Sequence, residues 1–271
     1  MKDFFDIRRF GNYLLYDLRN ARNYFWVSLI VLGLLPIIGY VFAQLFCHLF
    51  TGGWGGESLA VANQISMAGI ALITLYISFP IKVYGKITEK RFGSDWIMIP
   101  ASGFEKWLSV IIVTCVALPL CFGVLFLGSD ALLSAVIPEY GSSLLNRLSS
   151  FNEMIADSTD GILNMNIVPG LYLSWCESIL AFTLGALVFK KAKGAKTILA
   201  IFAIGTLFSM VVVALFGTTH VDLDSLKLIS DDTLGVEDVV KWFNIAIGCF
   251  YSVILVALAG GIYARIKTIK Q

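Results

Sequence analysis

Six long apolar stretches dominate the pattern of the 271-residue chain. Each holds about 20 mainly apolar residues, the length of α-helix that crosses roughly 30 Å of hydrocarbon. Transmembrane strands would instead alternate in polarity over about ten residues, and these runs are continuous. The pattern predicts an all-α polytopic membrane protein with one transmembrane domain over residues 1–271. The predicted spans are about 24–47, 61–84, 107–128, 167–189, 196–216 and 242–265.

The composition supports the same class. Apolar residues make up 58% of the chain and charged residues 14%, against about 25% charged in typical soluble domains. The mean hydropathy is +0.81. A formal net charge of +1 gives no general attraction to nucleic acid, so the expected partner is the lipid bilayer.

Basic residues are distributed unevenly between the connections. With six spans, one side of the membrane receives every Lys and Arg except Arg147, Lys227 and Lys241. The other side is acidic. Because cytoplasmic connections carry an excess of Lys and Arg, this distribution predicts that both termini are cytoplasmic.

Residues 3–20 predict an amphipathic helix that lies in the membrane interface. Apolar residues recur there at intervals of three and four, which places them on one helical face. A basic amphipathic helix beside a span is typical of such interfacial segments. The alternative is a cytoplasmic tail packed on other loops. The candidate interface residues are Arg8, Arg9, Phe10, Leu14 and Arg19.

The connection 85–106 mixes charged residues with large apolar and aromatic ones. Exposed apolar groups in a polar frame favour docking onto a partner, although such groups can also pack among lipid headgroups. The candidate partner-binding residues are Arg91, Phe92, Asp95, Trp96, Pro100, Ser102, Glu105 and Lys106.

The end of this connection carries a helix-start signal. Pro100 limits the helix before it. Ser102 is the predicted N-cap of the third span, and Glu105 three residues later completes a capping box.

The sequence contains no familiar catalytic or nucleotide-binding motif. It has no H-E-x-x-H, no G-x-S-x-G and no P-loop, so we expect no enzyme activity, metal site or cofactor in this chain. Glu177 is the one ionisable residue predicted well inside a span. Intramembrane carboxylates are functional candidates, and the structural alternative is a hydrogen bond to a neighbouring helix.

Four prolines lie within or at the ends of the predicted spans. Proline removes a backbone donor, but membrane helices tolerate it where neighbours satisfy the freed carbonyls. Each of the four could kink its helix: Pro36, Pro80, Pro119 and Pro169.

The arrangement resembles the type-2 ABC exporter permease family, particularly its short, six-span Bacteroidetes-type members. An interfacial helix precedes the first span, and the second-to-third connection is substantial. The segment RFGSDWIMIPASGFEKWLS resembles a sequence pattern of the family. That pattern is a Gly, a short apolar run, Leu-Pro-small-Ser, and then a charged residue that opens the next span. Here that pattern is Ile99-Pro100-Ala101-Ser102, followed by Glu105 and Lys106.

The resemblance implies a specific role for the connection. It would include the coupling helix that contacts a separate ATPase subunit, which would bind ATP and Mg²⁺. The permease would work as a homo- or heterodimer in the bacterial inner membrane. One departure is that 217–241 is polar and acidic where many members have re-entrant helices. The long external segment, 129–166, instead follows the third span.

Two other functions remain open from the sequence. The chain could be a non-transporting accessory or sensory membrane protein, which would suit its unusual external segments. It could also be a secondary transporter that uses Glu177, although its halves show no inverted repeat. The sequence does not identify a substrate.

Overall fold

The computed structural model describes residues 5–88, 96, 98–150, 167–216 and 236–269. Within these ranges the chain is helical and has no strand, which confirms the all-α class. The long helices are α1 (Ile7–Gly33), α2 (Leu35–Thr51), α3 (Glu57–Val83), α4 (Gly103–Val136), α5 (Ile167–Val188), α6 (Lys193–Phe216) and α7 (Val236–Ile269). Short 3₁₀ turns cover Gly85–Thr88 and Pro138–Tyr140.

The helices from α3 to α7 are each long and apolar enough to cross a membrane, and α1 with α2 forms a sixth candidate span bent by 42°. The protein is therefore a multi-pass membrane protein. Each of the six predicted apolar stretches coincides with one of these helices or with the α1–α2 pair. The side on which the termini lie stays a prediction from the basic residues.

The N-terminal segment differs from the predicted separate helix. Residues 7–20 are the first turns of α1, which continues to Gly33. Neither Gly nor Pro occurs between Asn12 and Leu32, so nothing local stops the helix. One inward face continues through the helix, where buried residues recur at intervals of four: Tyr13, Asp17, Ala21 and Phe25.

The first span breaks at Leu34, close to one of the four prolines. The Ile37 N–H bonds the Leu34 carbonyl at 3.1 Å, so the Gly33 carbonyl loses its helical donor. Ser129 Oγ of α4 donates to that carbonyl at 2.7 Å. A Cβ on Gly33 would lie 2.5 Å from Leu125 Cβ, so glycine allows α1 and α4 to pass this closely.

A π-helical turn at Val113–Ala117 interrupts α4 just before Pro119. The Leu118 N–H bonds the Val113 carbonyl, so the Thr114 carbonyl loses its regular donor. Pro119 has no N–H, so the Cys115 carbonyl loses its donor as well. Two aromatic side chains of α5 donate in their place. Trp175 Nε1 lies 3.4 Å from the Thr114 oxygen, and the Tyr172 hydroxyl lies 2.8 Å from the Cys115 oxygen. Such π turns are common at functional sites.

We expect Tyr172→Phe to lower the free energy of unfolding by about 1 kcal/mol, because it leaves the Cys115 carbonyl without a donor inside the bundle. Thermal unfolding in detergent micelles measures the change. Tyr24→Phe is the matched control. Its ring is 43% exposed against 47% for Tyr172, and its hydroxyl bonds no described residue. Equal destabilisation by both variants would contradict this account of the π turn.

α5 lies at the centre of the bundle, packed against α3, α6 and α7. The Trp175 ring lies between Tyr76, with centroids 5.4 Å apart, and Phe122 at 5.8 Å. α6 is peripheral, and most of its described apolar side chains are exposed. Its start is fixed by Lys193, whose ammonium group donates to the Gly85 carbonyl. The exposed apolar surface of α6 fits contact with lipid.

Candidate functional site

The start of α4 carries the predicted capping box, which the structure confirms. Ser102 Oγ accepts the Glu105 N–H at 3.2 Å. In return, Glu105 Oε2 accepts the Ser102 N–H at 2.7 Å. This local exchange satisfies two backbone donors that the helix cannot satisfy itself.

Glu105 also joins α4 to the start of α1. Arg9 Nε lies 3.0 Å from Glu105 Oε1 and 2.9 Å from Oε2, and Nη2 lies 2.6 Å from Oε1. The Asp6 N–H adds a further bond to Oε1 at 3.0 Å. The Glu105 side chain is fully buried, whereas that of Arg9 is 35% exposed. Charge-assisted, two-point pairs of this kind fix geometry as well as adding energy.

Lys106 makes a second set of contacts between α4 and the connection. Its Nζ donates to the Trp96 carbonyl at 2.7 Å and stands 4.3 Å from the centre of the Trp96 ring. The indole Nε1 of Trp96 in turn donates to the Tyr13 hydroxyl of α1 at 3.1 Å. Trp96 is therefore fixed by both α1 and α4.

Asp17 of α1 connects the end of α3 to the start of α4. Its Oδ2 accepts the Tyr84 hydroxyl at 3.2 Å, just after α3 ends, and the Ser109 hydroxyl of α4 at 2.8 Å. Tyr84 is the donor in this pair, because a phenol carries an O–H and an ionised carboxylate only accepts.

We call this set of residues the brace: Arg9, Tyr13, Asp17, Tyr84, Trp96, Glu105, Lys106 and Ser109. It links α1, the end of α3 and the start of α4 around the connection 85–106. Apart from Arg9, these side chains are buried. The brace therefore makes the described part of the connection a fixed element of the fold and not a loose tether.

The predicted partner-binding residues fall into three groups. Arg91, Phe92 and Asp95 lie outside the described residues. Trp96, Glu105 and Lys106 are buried members of the brace, so their side chains position the connection. Pro100 is exposed and Ser102 is half-buried. Any contact that the described part makes with a partner falls to its exposed residues, among which Met98 is 78% exposed.

The predicted interface residues lie on different sides of α1. Arg8 and Arg19 are exposed, as expected for cations that face headgroups or water. Arg9 instead pairs with Glu105. Phe10 and Leu14 are half-buried, and Leu14 packs against the main core.

A shallow groove separates α1 from the connection. Its volume is about 420 Å³, and both sides contribute to its lining. The connection supplies Ile99 and Pro100, and α1 supplies Arg8, Asn12 and Tyr16, among others. Cationic, aromatic and apolar groups thus meet on one accessible surface, which is the mixture found at protein interfaces.

A second buried polar cluster lies at the opposite end of α4. Asp130 Oδ1 accepts the Tyr140 hydroxyl at 2.5 Å and Gln64 Nε2 at 3.1 Å. Its Oδ2 accepts the Leu144 N–H at 2.6 Å. Burial, followed by the bond to Asp130, raises the pKa of Tyr140, so this phenol also stays a donor.

The sequence pattern does not predict the burial of Asp17 and Asp130. Asp130 lies in the predicted external segment 129–166, yet α4 continues to Val136. A signal was present, because the apolar spacing of Phe122 and Phe126 continues to Leu133. Asp130 lies within this continued helix, and it is buried. The described remainder of that segment includes a helical stretch over 144–150, while 151–166 and 217–235 lie outside the described residues.

Glu177 lies half-buried on α5. It makes no hydrogen bond or ion pair with any described residue. The sequence left open that Glu177 forms a hydrogen bond to a neighbouring helix, for example to a Ser or Tyr. The described part of the chain does not contain such a bond.

No family model, curated protein or solved structure matches the chain. Within the described ranges, no group of three or more His, Cys, Asp or Glu could hold a metal ion. The fold defines the class of a multi-pass helical membrane protein. The brace and the surface beside it are the features of the described chain that bear on its function.

Proposed function

We propose that the chain is the membrane (permease) subunit of an ABC-type exporter. It would work as a homo- or heterodimer in the bacterial inner membrane with both termini cytoplasmic. A separate ATPase subunit would bind ATP and Mg²⁺ and contact the connection 85–106. This chain would supply the membrane path and no catalytic group.

The brace is the observation that carries the proposal. A coupling segment must transmit displacement at its surface to the spanning helices. Here Glu105 joins α4 to Arg9 of α1, and Lys106 joins α4 to Trp96. Moving Arg9 away would leave the fully buried Glu105 carboxylate without its ion partner, which is costly for a buried charge. A push on the connection would therefore move α1 and α4 together and would not be absorbed by a flexible loop.

The surface beside the brace gives a partner a place to bind. Met98 is exposed and directly precedes Ile99 and Pro100, which line the groove. Large exposed apolar side chains within a polar rim are typical anchors of protein interfaces. These side chains lie on the predicted cytoplasmic side, where an ATPase would bind.

Changing the anchor should weaken the complex without unfolding the membrane subunit. We expect Met98→Glu to lower the amount of copurified ATPase at least about fivefold, because it introduces a charge into an apolar contact worth about 1 kcal/mol or more. The experiment co-expresses the full chain with any ABC ATPase encoded beside its gene, followed by affinity purification in detergent and measurement of ATPase activity.

Leu145→Glu is the matched control. Leu145 is 58% exposed and belongs to the helical stretch 144–150, beyond the other end of α4. It should leave the complex intact. If the wild-type chain brings down no ATPase, or if both variants bring it down equally, the proposed coupling surface is wrong.

A further inference from the structure

A second groove runs along the membrane-embedded surface between α1 and α4. Its volume is about 560 Å³, within the range of small-molecule sites in proteins. Phe25 and Phe79 contribute buried aromatic surface to it, and Leu29 and Val124 line it further along the helices. It is a different surface from the groove beside the connection.

Small residues and the π turn create the space for this groove. Ala21 of α1 and Ala117 of α4 both line it, where larger side chains would narrow it. Val113 and Ala117 are the first and last residues of the π turn. The irregularity forced by Pro119 therefore shapes one wall.

The groove is about as long as one leaflet is thick. On α4 it extends from Val113 to Leu125, which at about 1.5 Å per residue is roughly 18 Å. Half of the hydrocarbon core is roughly 15 Å. An extended acyl chain of one leaflet would match this length.

One end of the groove carries a cation. Arg22 is the charged residue among those that line it. Its side chain is exposed and forms no ion pair or hydrogen bond with a described residue. Lys82 lies nearby, with its Nζ 5.7 Å from the centre of the Phe25 ring.

Charge and shape together select the occupant. We propose that the groove binds one anionic phospholipid of the leaflet at the basic end of the protein. An acyl chain lies along Phe25, Ala117 and Val124, and the phosphate group meets Arg22. Any lipid could fill an apolar groove, but the cation at its mouth favours a headgroup with net negative charge.

The test compares two lipids that differ only in headgroup. Phosphatidylglycerol and phosphatidylcholine, both with palmitoyl and oleoyl chains, are titrated against the full chain in detergent. Native mass spectrometry counts the bound lipids. Both headgroups offer a phosphate to Arg22, but the choline group offsets that charge. We expect phosphatidylglycerol to bind about fivefold more tightly to the first site, the factor that one basic residue provides toward net negative charge. Arg22→Gln should reduce the ratio of the two affinities to about one.

Two further variants separate charge from shape. Lys190→Gln removes an exposed cation beyond the end of α5 that does not line the groove, and it should preserve the affinity ratio of the unchanged protein. Ala117→Leu fills part of the groove and should weaken both lipids while preserving their ratio. Arg22 is exposed, so its variant is expected to fold normally.

Three results would overturn the proposal. The first is an equal affinity ratio in Arg22→Gln and Lys190→Gln. The second is unchanged binding of both lipids in Ala117→Leu. The third is that Ala117→Leu removes a dimer peak from the mass spectrum but keeps the bound lipid. That result would identify a second copy of the chain as the occupant.

Discussion

Glu105→Gln should lower the free energy of unfolding by about 3 kcal/mol, because it removes the charge and one acceptor oxygen from a fully buried group that pairs with the half-buried Arg9. The new amide nitrogen cannot accept a hydrogen bond. One of the donors that now meet the carboxylate, either Arg9 or the Asp6 or Ser102 N–H, would then be left unsatisfied. Thermal unfolding in detergent micelles, followed by tryptophan fluorescence, measures the loss.

Glu57→Gln is the matched control, since the chain offers a second Glu–Arg pair of similar length. Glu57 Oε1 lies 3.0 Å from Arg147 Nη2, but the Glu57 side chain is 63% exposed. Exposed pairs contribute about 0–1 kcal/mol. Losses of the same size in Glu57→Gln and Glu105→Gln would show that burial does not make the brace strong.

Asp130→Asn should cost about as much, close to 3 kcal/mol, because the buried carboxylate accepts three donors. Asparagine offers one oxygen for the hydroxyl of Tyr140, the amide of Gln64 and the N–H of Leu144. Its own NH₂ group would face at least one of these donors. The same micelle unfolding experiment measures this effect at the opposite end of α4.

Tyr140→Phe provides the comparison for this second cluster. It removes one donor and leaves the bonds from Gln64 and Leu144 to Asp130 in place, so we expect a loss of about 1 kcal/mol. If Tyr140→Phe lowers the free energy of unfolding as much as Asp130→Asn, the phenol and not the carboxylate organises the cluster.

The spans were predictable from the sequence because hydrocarbon imposes a strong requirement on long apolar runs. The capping box was predictable for a different reason. Ser102 and Glu105 are three residues apart, and their exchange depends on local geometry alone. The prolines gave partial information: Pro36 lies beside the break and Pro119 follows the π turn, whereas α3 continues through Pro80.

The brace was not predictable, because its contacts join distant parts of the chain. Arg9 and Glu105 are 96 residues apart, and no local pattern identifies one as the partner of the other. Asp17 is similar. In the sequence it is one more polar residue of an amphipathic segment, and only packing against Tyr84 and Ser109 explains why the inward face of α1 tolerates a carboxylate.

The bend at Leu34 has a consequence for how the protein is made. Until Ser129 arrives, the Gly33 carbonyl has no donor at membrane depth, and an unsatisfied backbone group there costs several kcal/mol. Ser129 is synthesised 96 residues later. The first span therefore reaches its final shape only after α4 has entered the bilayer, so the order of insertion differs from the order of maturation.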